Sequence, residues 1–169
     1  MVARWNLPMK TSLFCLLLLA GGSAMAAAPS KSDGPAPMPH AITHAANTAW
    51  GTAPPSLPPG VQAAVLVGDP GKPGSFTLRL KMPPGYRVPR HWHPTDEAVT
   101  LIEGDLSLSM GAADAADAGT LAPGDFVNLP AQMPHEANSK GGAVVQVQST
   151  GPFEITYINP KDDPRNAGK

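Results

Sequence analysis

Glycine and proline punctuate this chain so densely that it cannot fold as a helical bundle: 21 Pro and 17 Gly are spread over 169 residues. Between the breaks, apolar residues return at every second position. Phe76, Leu78, Leu80 and Met82 alternate with Thr77, Arg79 and Lys81, and Leu106, Leu108 and Met110 alternate with Asp105, Ser107 and Ser109. An extended strand sends successive side chains to opposite faces, so this pattern buries one face of each strand. Runs of this kind cover 61–67, 75–82, 86–93, 97–103, 105–110, 119–122, 125–129, 135–138, 143–149 and 153–158. Many short strands joined by turns predict an all-β antiparallel sandwich or barrel. The low-complexity stretch Gly111–Gly119 reads as a solvated loop between two of them.

The N-terminus reads differently. Arg4 and Lys10 precede the apolar run Leu13–Ala20, and small residues follow up to Ala24-Met25-Ala26. That is the layout of a cleaved export signal, and the run is shorter than the roughly 18 residues of a membrane span. Residues 1–26 are therefore expected to be removed, leaving no stable membrane anchor and a periplasmic or secreted protein. Cleavage would also remove Cys15, the single cysteine, so disulfides, thiolate ligands and a cysteine nucleophile are excluded from the mature chain. Residues 27–50, rich in Ala, Pro and Ser, bury little apolar surface by themselves and are expected to form a flexible or partly docked arm, with Trp50 as its anchor. The domain proper is expected over 51–165.

Twelve Lys and Arg against thirteen Asp and Glu leave a net charge of −1. Such a chain has no basic field with which to hold nucleic acid.

The chemistry concentrates between Gly85 and Gly104. On a strand, His91 and His93 present two imidazoles to one face while Trp92 faces away. Pro94 ends that run, and Glu97 opens the next strand, from which its carboxylate can reach the same point. The remaining histidine of the domain is His135, behind Pro130 and Pro134. Three imidazoles and a carboxylate suit a divalent first-row metal with positions left open for water, dioxygen or substrate. His40 and His44 lie in the proline-rich arm and read as solvated residues outside this set.

Gly85, His91, His93, Glu97 and Gly104 match the first motif of the cupins position by position, and Gly124, Pro130 and His135 resemble the second. The second departs from the family pattern at Gln132, where cupins usually carry glycine, and at Ser139, where they usually carry asparagine. The resemblance spans about 60–160. The segment Gly151–Arg165 is similar to the C-terminal segment of a group of small exported single-domain cupins. What the resemblance implies is an antiparallel jelly-roll β-barrel holding one metal inside, through His91, His93, Glu97 and His135.

Other residues carry less. Met133, Gln146, Gln148 and Tyr157 are placed at the barrel mouth by strand parity alone, as weak substrate-binding candidates. Glu103 and Glu136 read as surface carboxylates, and Arg79, Arg87 and Arg90 read as outer-face residues. The expected function is a metal-dependent enzyme acting on a small molecule, oxygenase-like or isomerase-like, with Fe, Mn, Zn or Cu as the metal. The alternatives are a non-catalytic barrel that holds a small ligand or metal, and a structural barrel that pairs through an edge strand into a homodimer.

Overall fold

The computed structural model describes residues 41–111 and 117–167. The expected signal segment 1–26 and most of the arm lie outside the described residues. Of the arm, Ala45–Asn47 form a single 3₁₀ turn, and the Lys81 ammonium sits over the half-buried Trp50 ring at 5.9 Å from its centre. Among the described residues no helix is long and apolar enough to cross a membrane.

Strands follow the predicted runs closely. In chain order they are β1 Gly51–Thr52, β2 Gln62–Val67, β3 Gly74–Met82, β4 Arg87–Trp92, β5 Glu97–Gly104, β6 Leu106–Met110, β7 Asp117–Leu121, β8 Phe126–Leu129, β9 His135–Asn138, β10 Ala143–Gly151 and β11 Thr156–Tyr157. One sheet has the order β1-β2-β3-β10-β5-β8 and the other β11-β4-β9-β6-β7. Every pairing is antiparallel, and the two sheets form the expected jelly roll.

Two sequence expectations change. Asp117 and Gly119 are not loop residues: they pair with Met110 and Leu108 across the β6–β7 hairpin. The run 153–158 contributes only Thr156–Tyr157 as strand, because Pro152 and the Phe153–Ile155 stretch cross the end of the barrel rather than following an edge.

The alternation predicted from sequence is what builds the core. Phe76, Leu78, Leu106, Leu108, Leu129, Val145 and Val147 are buried, while the intervening Arg79 and Gln146 hydrogen-bond to each other. Gly104 shows why the turn after β5 needs glycine. Its φ is +84°, and a Cβ there would overlap the Gly142 carbonyl.

Phase along β4 is reset by a bulge. Val88 pairs with Ala137 but His91 pairs with His135, so the β4 side carries one extra residue at Pro89–Arg90. Without it, the two-residue period that buries Val88 would turn His91 outward.

A segment before β2 is tied onto the barrel by two buried tyrosines. The Tyr86 hydroxyl donates to the Pro58 carbonyl at 2.6 Å, and the Tyr157 hydroxyl donates to the Ser56 carbonyl at 2.8 Å. Burial raises both phenols, Tyr157 to about 12, so they remain donors at any physiological pH. Replacing Tyr86 with Phe leaves the Pro58 carbonyl without its donor. Tyr86→Phe is expected to lower the unfolding free energy by about 1 kcal/mol, measured by chemical denaturation; an unchanged midpoint would show that the tie contributes nothing.

Candidate metal centre

Four elements of one barrel end converge on the site. β4 brings His91, the turn after it His93, the start of β5 Glu97, and the start of β9 His135. All four are buried, at 4%, 6%, 8% and 3% exposure. The ring nitrogens of the three histidines lie within 4.8 Å of one another. His91 and His135 are cross-strand partners with ring centres 4.2 Å apart.

Each imidazole is held from behind by a backbone carbonyl. His91 Nδ1 lies 2.7 Å from the Pro89 carbonyl, His93 Nδ1 2.6 Å from the Glu154 carbonyl, and His135 Nδ1 3.0 Å from the Met133 carbonyl. A carbonyl only accepts, so these contacts assign the proton to Nδ1 and turn the Nε2 lone pair of each ring toward the centre. The bulge that aims His91 therefore also supplies its acceptor, Pro89. Burial, reinforced by the neighbouring rings of His135 and His93, lowers the His91 pKa to about 3. Burial likewise lowers that of His93.

Glu97 completes the group. Its Oε2 lies 3.5 Å from His93 Nε2 and 3.3 Å from His135 Nε2. Burial alone would raise its pKa, but the close approach of His135, with His93 and His91 around it, outweighs that and holds it below the usual carboxylate range. With Nδ1 of each ring already donating, the carboxylate faces nitrogens whose remaining function is to accept. Acceptors pressed together in a buried space are unfavourable unless a cation joins them. The donor set fits a divalent metal on that chemistry: three neutral Nε2 ligands and one carboxylate oxygen, each ring oriented by a second partner.

The turn that delivers His135 is tied to the His93 turn. Asp96 Oδ1 accepts from the Ala131 amide at 2.7 Å, and the Gln132 amide donates to the His93 carbonyl at 2.8 Å. Gln132 sits at φ +63°, in the left-handed region that favours the glycine expected here. Ser139, at the second departure from the motif, is 2% exposed, and its hydroxyl has no hydrogen-bond partner among the described residues.

Above the cluster opens a cavity of about 730 Å³, lined by Leu78, Val99, Leu106, Leu108, Val145, Val147 and other apolar residues of both sheets. Of the weaker sequence candidates, none contributes to that lining. Gln146 pairs with Arg79 on the outer face of β10, and Gln148 is exposed on the same face; both are corrected by strand phase, since Val145 and Val147 take the inward positions. Met133 packs against the core and Tyr157 is buried with its hydroxyl on Ser56. Glu136 pairs with Arg87 through two hydrogen bonds, as expected of an outer-face arginine; Arg90 departs from that expectation, being half-buried, with Nη1 reaching toward Ser109 and Nη2 buried without a hydrogen-bond partner among the described residues.

Sequence reading missed Phe153. Its ring stacks on His93, centres 4.2 Å apart and planes 19° apart, and packs edge-on against Phe76. Together with the Glu154 carbonyl it fixes the His93 ring. The Gly151-Pro152-Phe153 segment was the available signal, visible only as family resemblance.

Two antiparallel sheets enclosing a buried histidine–glutamate cluster define a cupin. More particularly, residues 38–154 match the ChrR cupin-like domain, and the chain belongs to that family. Similar solved structures share the fold at low identity. The polyketide cyclase RemF from Streptomyces resistomycificus aligns with a TM-score of 0.61 at 16% identity, over 74% of this chain and 89% of that one. DMSP lyase DddQ from Ruegeria pomeroyi DSS-3 gives 0.56 at 21%, over 69% and 64%. KdgF from Halomonas sp. gives 0.52 at 18%, over 66% and 95%. No curated protein matches the chain.

A non-glycine residue in the left-handed region costs on the order of 1 kcal/mol or more. Gln132→Gly is accordingly expected to raise the unfolding free energy by roughly 0.5 kcal/mol once the added entropy of glycine in the unfolded chain is subtracted. Equilibrium denaturation checks this; a loss of stability would mean that the Gln132 side chain contributes more than its backbone strain costs.

Proposed function

We propose that this chain is an exported, metal-dependent enzyme acting on a small organic molecule, and that its chemistry is oxygenase-like. The observation that carries the reading is the convergence of three carbonyl-anchored imidazoles and Glu97 at the base of an apolar cavity. His91, His93, Glu97 and His135 would hold one divalent ion, Fe, Mn, Zn or Cu. When bound, such an ion supplies Lewis acidity and, in the redox-active cases, electrons for dioxygen.

The protein's own groups do the rest. The Pro89, Glu154 and Met133 carbonyls keep the three rings in register, so no reorganisation is needed when a substrate arrives. Aliphatic walls exclude water from the reacting end. Asp69 and Glu154, the remaining acidic residues of the lining, are exposed, and Asp69 is paired with Lys72. Among the described residues, then, no free acid or base reaches the floor. That favours metal-centred oxygen chemistry over an isomerisation that shuttles protons through a side chain. Fold neighbours named as a polyketide cyclase and a DMSP lyase support a small-molecule substrate, and the Arg4–Ala26 layout supports export.

Full-length protein produced with its leader and recovered from the exported fraction tests this. The expected result is a mature N-terminus near Ala27 and close to one equivalent of metal, with His135→Ala folded but at least about tenfold poorer in metal. Retention of full metal by His135→Ala would remove that residue from the ligand set. Loaded protein that binds small molecules without turnover or dioxygen uptake would make the barrel a binding protein.

A further inference from the structure

The cavity's charge pattern carries a conclusion about what enters it. The buried polar side chains of the lining are His91, His93, His135 and Glu97, and its other polar residues, Thr52, Ser56, Asp69 and Glu154, are exposed or half-buried. Elsewhere the deep lining is aliphatic, from both sheets, and no Lys or Arg among the described residues contributes to it. Arg87 is committed to Glu136 and Arg79 to Gln146, and Arg90, with Nη1 toward Ser109 and Nη2 buried without a partner among the described residues, does not contribute to the lining. Against the deep walls, away from the Thr52 and Ser56 hydroxyls, a second carboxylate, a phosphate or a run of hydroxyls on a ligand would lose its water and find no side-chain donor to replace it. A volume of about 730 Å³ lies within the range of pockets that enclose a whole small molecule.

We infer that the ligand is a largely apolar organic molecule bearing a single oxygen function, bound with that function toward the histidines and its hydrocarbon body against the two sheets. This deepens the metal-enzyme reading and rests on it for the polar end, while the apolar body is dictated by the walls alone. Dianionic and polyhydroxylated small molecules are excluded by the same walls. The exposed lining residues Thr52, Pro54, Val65 and Asp69 mark the mouth through which it enters.

A homologous series of ligands tests the inference on the purified mature protein, with metal content measured on the same sample. Calorimetric titration would compare butanoate, hexanoate, octanoate and octanedioate. Affinity is expected to rise about three- to fourfold per methylene along the monoacids, with octanedioate at least about a hundredfold weaker than octanoate. Val147→Phe, which places a larger side chain into the cavity wall, should shift the preferred chain to a shorter one with metal content unchanged. Flat chain-length dependence, or octanedioate binding as tightly as octanoate, would overturn the inference. Its failure is separable from that of the metal reading: chain-length dependence in a metal-free sample upholds the apolar ligand and sinks the metal, whereas full metal with flat dependence does the reverse.

Discussion

Three hydrogen bonds from imidazole Nδ1 to backbone carbonyls organise the chemistry of this barrel. Each takes up the one proton a neutral imidazole carries, and so determines what its other nitrogen can do. The acceptors come from three separate parts of the chain: the β4 bulge, the crossing segment at Glu154, and the turn before β9. Holding the rings thus requires that the bulge, the crossing and the turn all be in place. The site is a consequence of the whole barrel being closed rather than of any one loop.

That dependence explains where the structure accepts local strain. Gln132 occupies a left-handed backbone position while its amide is bonded to the His93 carbonyl. Asp96, beside Glu97, holds the preceding amide of the same turn, that of Ala131. The first and second motifs are in this way bonded to each other directly, and the position of His135 is set by the His93 turn as much as by β9. Strain of this kind persists where the surrounding contacts over-determine the backbone.

Much of this was legible in the sequence, and for identifiable reasons. Period-two alternation in Phe76–Met82 and Leu106–Met110 located the inward faces, because burial on one side of a sheet imposes that period. The spacing of His91, His93 and Glu97 located the site, since strand geometry converts it into a shared face. What escaped were features that depend on contacts distant in sequence. The bulge at Pro89–Arg90 changes phase without changing composition. Phe153 reaches His93 from about sixty residues away, and nothing in its local pattern distinguishes it from an ordinary core aromatic. Gln146 and Gln148 were placed inward by a parity count that the neighbouring Val145 and Val147 reverse. The segment 153–158 looked like a strand because its residues are β-formers, yet most of it crosses the barrel end.

The central claim is that His91, His93 and His135 bind a metal through Nε2 with Glu97 beside them, and X-ray absorption spectroscopy of the metal-loaded protein tests it most directly. The account predicts three imidazole nitrogens at about 2.0–2.2 Å, a carboxylate oxygen lost in Glu97→Gln, and one imidazole lost in His135→Ala. A first shell with fewer than three imidazoles in the wild type, or one unchanged by His135→Ala, would contradict it.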